Sequence, residues 1–566
     1  MEKIIQTKQC KQCWASFEIT DKDLEFYDKI SPVFGWKKYQ IPSPTLCPDC
    51  RQQRRMAFRN ERKLYRRKCD LTGKSVISIY HPESGYSICD KNYWRSDQWD
   101  PMKYGKDFDA SKSFFSQFEK LRKETPNVAL YNVNSVNSEY ANHCLDTKNC
   151  YMIFGSYSVE DSLYGEWMAD VKSSMDLLWG TALEACYECV DLHSSYKLFW
   201  CEKCTDCSES YFLHNCNSCR NCVGCINLVN RSYCIENVQY TKQEYFQKLS
   251  EMKIDTTSWI QAYKDHFATL TKVAVHKYAD LIHCEDSTGD NLESTKNCQC
   301  CFDIKEARDC KYSTHGWFVL NDTYDSYGVG ANASLLYETV DTGLDENKVA
   351  FTIVVYQSTE AYYCVNCHGC HNIFWCIGLR NKEYCIFNKQ YTKDEYEKLV
   401  PQIIEKMIVD KERWEFFFPQ FSPFAYNETI ASDYYPSDRD EVIAKWFKRL
   451  DQETSLPYAG KLLKAQDIPD SITMVSDDIL QQVIECEISK RPFRVVKQEL
   501  DFYRKHNLPL PTKHPDVRHT ERTKLRNPKQ LRDRKCAECG SDIKTSYSPE
   551  RPEIVYCEQC YNKEIY

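Results

Sequence analysis

The sequence predicts a mixed, β-rich fold: a two-half, cysteine-rich parallel β-solenoid with helical inserts, flanked by duplicated zinc-ribbon modules. Three observations predict it. Pairs of C-x2-C knuckles stand near both ends of the chain, ten cysteines from Cys186 to Cys234 fall in one three-residue frame, and a stretch around 232 returns around 383. A helix repeats every 3.6 residues and a flat strand every 2, so a frame of three fits neither. It fits a chain wound into short strands separated by bends.

Residues 1–100 form the first module. Cys10 and Cys13 make one knuckle, Cys47 and Cys50 another, with 33 residues between the pairs. Zinc takes four thiolates tetrahedrally, and two knuckles supply them. Residues 466–566 form the last module, where Cys536 and Cys539 precede Cys557 and Cys560 by 17 residues. That is zinc-ribbon spacing. Two zinc ions are expected. The modules are copies: Cys47-PDCRQQRRMAFRNERKLYRRKC aligns without a gap with His514-PDVRHTERTKLRNPKQLRDRKC. Each copy therefore has two metal positions in series, one complete and one degraded. The degraded sites keep Cys69 and Cys89 in the first copy, Cys486 and His514 in the second.

Residues 101–240 read as a linker helix and the first solenoid half, 241–283 as a helical insert, 284–391 as the second half and 392–465 as a helical segment. Cys186 and Cys207, Cys201 and Cys222, and Cys204 and Cys225 are each 21 residues apart. A 21-residue coil would stack them as inward ladders, with leucine or serine filling the gaps. The halves repeat each other: Ser232-YCIENVQYTKQEYFQKL matches Glu383-YCIFNKQYTKDEYEKL, and each opens a helix at Y-T-K-x-E-Y. A metal cluster on Cys216, Cys219, Cys222 and Cys225 is the alternative, but Ile373 replaces Cys222 in the second half. His368 and His371 beside Cys367 and Cys370 offer a further local metal position.

The N-terminal C-x2-C, the F-x6-L-x-F-Y stretch and CPDCRQ-x-RR resemble a zinc-ribbon, treble-clef-like domain of uncharacterised bacterial proteins. With KCDLTGK, WRSDQWDPMKYGKDFD, YCIENVQYTKQEY and YCEQCYNKEIY, most of the chain resembles a family of such proteins from candidate-phyla bacteria. Some of its members are labelled CaiB/BaiF-type CoA-transferases. The resemblance implies zinc and a cytosolic setting and brings no activity with it.

Glycine is scarce, 17 in 566 residues, and neither G-x-G-x-x-G nor a Walker motif occurs, which argues against those phosphate cradles. No H-E-x-x-H or G-x-S-x-G occurs either, and no catalytic constellation stands out. The start lacks the apolar core of a signal peptide, and no apolar run approaches membrane length, so a cytoplasmic, reduced protein is expected. Its 33 cysteines then mean metal ligands or buried thiols rather than disulfides. The net charge is −8, yet Arg51 to Lys68 holds nine basic residues and one acid. Arg51, Arg54, Arg55, Arg59 and Arg62 are the candidate nucleic-acid contacts, expected to present guanidinium groups on the surface to phosphates. The function read from all this is a non-enzymatic zinc-binding scaffold contacting RNA or a ribonucleoprotein through its basic ends. The alternatives are a metal- or thiol-dependent redox protein or enzyme, and a pure protein-interaction scaffold.

Overall fold

At nearly every third position from Asn134 to Asn237, and again from His283 to Asn388, the backbone turns left-handed, with φ near +50°. Among side-chain-bearing residues, asparagine and aspartate tolerate that conformation best, and they recur there: Asp146, Asn149, Asp161, Asp206, Asn215, Asn227. Most such corners bend the chain and turn the next side chain inward, as Asn149 does for Cys150 and Asp206 for Cys207. These features come from a computed structural model that describes residues 2–181, 183–412, 414–451 and 461–566. Part of the helical segment expected at 392–465 thus lies outside the described residues.

The result is two sheets of 11 strands each, running in chain order from Asn132 to Gln239 and from Leu281 to Gln390. Neighbouring strands are parallel except at the end of each sheet, where Ser232–Ile235 meets Val238–Gln239 and Glu383–Ile386 meets Lys389–Gln390 antiparallel. The register shows coils of twelve residues. Tyr187 pairs with Phe199, Leu213 with Cys225 and Cys222 with Cys234. The expected 21-residue coil is therefore corrected: Cys186 lies level with Leu198, not over Cys207. Four triplets close one coil, whereas 21 residues are seven triplets. Cys186 and Cys207 share the frame but face different sides. In the second half three successive coils have thirteen residues, from Thr314 to Tyr327 to Val340 to Ile353. Paired left-handed residues, Phe318 with Val319 and Leu344 with Asp345, accommodate an added residue in two of them.

The expectation that the cysteines point inward holds. All ten from Cys186 to Cys234 are buried. Their chemistry there is specific. The sulfur of Cys189 accepts the backbone N–H of Cys201 at 3.5 Å, and that of Cys201 accepts from Leu213 at 3.4 Å. Ser174 and Ser210 do the same for Cys186 at 3.2 Å and Cys222 at 3.0 Å. The thiols also donate to nearby carbonyls, Cys201 to Phe199 at 3.3 Å. Corners aim backbone groups into a dry interior, where an unpaired one is costly. A short side chain with one polar γ atom pairs them, which explains why cysteine and serine share these ladders.

Thr241 and Thr392 cap the helices Lys242–Glu251 and Lys393–Val409 through capping boxes with Glu244 and Glu395, as the Y-T-K-x-E-Y stretches predict. Among the described residues, no helix is long and apolar enough to cross a membrane.

Candidate metal centres

Four times the chain makes the same knuckle. Cys10, Cys69, Cys486 and Cys536 each accept at their carbonyl from the N–H four residues on, of Trp14, Gly73, Lys490 and Gly540, at 2.8–3.1 Å. Each of those four partners has positive φ. The cysteine N–H in turn donates to the carbonyl of the following residue, at 2.8–3.0 Å. An antiparallel hairpin encloses each knuckle, pairing Ile4–Gln9 with Ser16–Thr20 around Cys10, Tyr65–Lys68 with Ser75–Ser78 around Cys69, Val483–Glu485 with Pro492–Phe493 around Cys486, and Arg532–Lys535 with Asp542–Thr545 around Cys536. At the complete sites, the second cysteine pair sits at a helix start: Cys47 caps Pro48–Met56 and Cys557 caps Glu558–Ile565. Helix N-termini favour thiolate, because their unpaired N–H groups carry partial positive charge.

The sulfurs of Cys10, Cys13, Cys47 and Cys50 all lie within 4.8 Å of one another, as do those of Cys536, Cys539, Cys557 and Cys560. The Cys13–Cys47 and Cys539–Cys557 separations are 3.6 and 3.8 Å. Tetrahedral zinc with Zn–S bonds of about 2.3 Å places its sulfurs about 3.8 Å apart. Each cluster can therefore hold one metal ion. Hydrogen bonding by the Cys50 thiol holds Cys47 down to about 5, and Ser541 lowers Cys539 to about 6. These two thiols are poised to ionise, while Cys50, which donates to Cys47, is held protonated and Cys560 is pushed up by burial to about 12.

The degraded positions are occupied differently. The Cys69 sulfur accepts from the N–H groups of Thr72 at 3.3 Å and Asp90 at 3.2 Å, and the Cys486 sulfur accepts from Ser489 at 3.4 Å. His514 Nδ1 caps its own helix by accepting from Asp516 at 3.0 Å. His368 and His371 bond Asn366 and Thr359 instead of each other's cysteines. Among the described residues, the two four-cysteine sets are the cysteine and histidine groups that converge.

The five candidate arginines are not where a polyanion would need them. Arg51, Arg54, Arg55, Arg59 and Arg62 are all buried, none more than 9% exposed. The expected surface placement is corrected, and the reason lies in carboxylates far off in sequence. Arg51 Nε donates to Asp325 at 2.9 Å, Arg55 lies 3.2 Å from Asp325 and 2.8 Å from Glu338, and Arg54 bonds Glu338 and Glu415 at 3.0 and 3.2 Å. Arg59 meets Glu61 and Asp341, and Arg62 meets Glu166 and Asp516. The second module does the same. Arg518, Arg522 and Arg526, the counterparts of Arg51, Arg55 and Arg59, reach Asp176, Asp176 and Asp191. Spacings of four residues put Arg51 with Arg55, and Arg518 with Arg522, on one face of their helices, and Arg59 and Arg526 follow just past the helix ends. Their partners Asp176, Asp191, Asp325, Glu338 and Asp341 all occupy left-handed corners. The first module thus clamps chiefly the second solenoid half and the last module chiefly the first, with Arg62 to Glu166 and Lys529 to Asp303 as the crossing pairs. Sequence reasoning missed these acids. The signal was an acid at the corner position of successive triplets, facing arginines at i, i+4 and i+8.

No protein-family model matches the chain, and none of the curated proteins matches its sequence. Fold and sites define a cysteine-rich β-solenoid protein bearing two four-cysteine modules, each able to hold a metal ion.

Proposed function

We propose that the protein is a non-enzymatic zinc-binding scaffold with one structural zinc in each four-cysteine module. The observation that carries this is the convergence of four sulfurs at each end, on modules ion-paired into the solenoid. Zinc would hold the basic helix Pro48–Met56 against its knuckle in the first module and the helix Glu558–Ile565 against its knuckle in the last, while the last module's basic helix, Pro515–Leu525, begins at the degraded position of His514. The likeness to bacterial zinc-ribbon proteins agrees with this reading. The test is removal of metal by a chelator followed by limited proteolysis. Cleavage should appear first in 1–50 and 530–566 and should be reversed by zinc, while 130–240 and 280–390 stay protected. Cleavage unchanged by the chelator would refute the reading.

A nucleic-acid partner, proposed from the basic segments, would have to be met by exposed Arg66 and Lys68 at one end and Arg532 and Lys535 at the other. Salt-dependent RNA binding that falls when these four are reversed to glutamate would support it. Unchanged binding, or none at low salt, would leave a protein partner.

A further inference from the structure

Between the two solenoid halves lies a cleft of about 820 Å³ that the metal sites do not use. One wall comes from residues 128–167 and the other from residues 315–380, with Arg59, Trp94 and Arg95 of the first module closing it. The walls are aromatic. Trp167 stacks on His315 at 4.1 Å, and Trp317 meets Trp167 edge-on at 6.2 Å. Gly155 and Gly328 let this wall close up: a Cβ on Gly328 would lie 2.8 Å from Arg59 Nη1, and one on Gly155 3.2 Å from the Trp167 ring. Both have positive φ. A concave, mostly apolar cleft of this size with a few polar groups is the ordinary form of a small-molecule site.

Its charge is unbalanced. Asp341 is the one carboxylate among the described lining residues, and it is engaged by Arg59 at 3.2 Å and by His143. Arg95 and Arg380 remain. Arg380 donates to the carbonyls of Arg95 and Ser96 at 2.6 and 2.9 Å and lies 5.5 Å from the Trp94 ring centre. Among the described residues, no carboxylate is within ion-pair distance of either guanidinium. Burial, then Arg95 and Arg380, hold neighbouring His368 down to about 4, so it adds no charge at neutral pH. Two guanidinium groups without carboxylate partners at an aromatic cleft form a receptor for an anion with a flat apolar body.

We propose that this cleft binds a small planar aromatic anion, its ring against the apolar, aromatic lining and its carboxylate or sulfonate on Arg95 and Arg380. The probe is 1-anilinonaphthalene-8-sulfonate, with N-phenyl-1-naphthylamine as its uncharged counterpart, each titrated into the zinc-loaded full chain by fluorescence. The sulfonate should saturate at about one per chain, as one cleft requires. Arg95→Met should weaken it about tenfold, the loss of one charge-assisted contact, and change the amine less than about threefold. Arg95→Glu should abolish sulfonate binding and spare the amine. Val133→Trp, at the cleft wall, should weaken both. Zinc content and thermal midpoint report the fold of each variant. Sulfonate binding that survives Arg95→Glu, or equal losses of both probes in Arg95→Met, would overturn the proposal.

Discussion

Asp325→Asn is the sharpest perturbation of the clamp between the first module and the second solenoid half. Asp325 is fully buried, and its Oδ1 takes Arg51 Nε at 2.9 Å while lying 3.2 Å from Arg55 Nη1. Arg55 keeps Glu338 at 2.8 Å. Arg51, 1% exposed, keeps the Leu46 carbonyl at 2.7 Å and a neutral amide oxygen in place of the carboxylate, but no counter-charge. The variant therefore strands one buried guanidinium, a loss of about 3–5 kcal/mol by analogy with broken buried pairs. Because the loss falls on the helix Pro48–Met56, its local opening should become easier by that amount. At tenfold per 1.4 kcal/mol, amide exchange in 47–60 should quicken by about two to nearly four decades. Hydrogen exchange with mass spectrometry reads this peptide by peptide. Exchange in 510–526, held by Asp176 instead, should not move. Replacing both partners, Arg51→Met with Asp325→Leu, should recover most of the loss, since no charge is then stranded. Exchange within threefold of the parent in the single variant, or a double variant no better than the single, would refute the clamp.

Glu346 has one oxygen accepting the Ser358 N–H at 3.1 Å and the other without a partner, and burial pushes its carboxyl up to about 9. A raised acid contributes stability that is full below its unfolded value, about 4.5, and is lost as pH rises toward 9. Glu346→Gln should therefore gain stability relative to the parent across that window, measured by denaturation at several pH values, and a constant difference would contradict it. Cys201→Val strands the Leu213 N–H and should cost about 1–3 kcal/mol more than Cys201→Ser, which keeps an acceptor, in the same assay. Burial pushes Cys144 and Cys186 up to about 12, so native alkylation at pH 8 should spare these two. Exposed Cys13 and Cys539 should be labelled first, and faster after a chelator, as mass mapping would show.

The knuckles were legible because four ligands within a short span leave few alternatives. The inward frame was legible because every third side chain shares one environment. Coil length was not. Any multiple of three preserves the frame, so Cys186 and Cys207 look equivalent whether a coil has 12 or 21 residues. Strand pairing decides it, as at Cys222 and Cys234. The asparagines and aspartates preceding inward residues, such as Asn149 and Asp206, were the overlooked sign of left-handed corners. The arginines showed their charge but not their partners. Asp325 is 274 residues from Arg51, and only the folded coils bring them together.

Zinc content tests the central claim most directly. Elemental analysis of protein produced with ample zinc should find about two zinc ions per chain, one per four-ligand site. Cys10→Ser and Cys557→Ser should each leave about one, because neither module shares a ligand with the other. A parent value near zero, or either variant retaining both ions, would contradict the account.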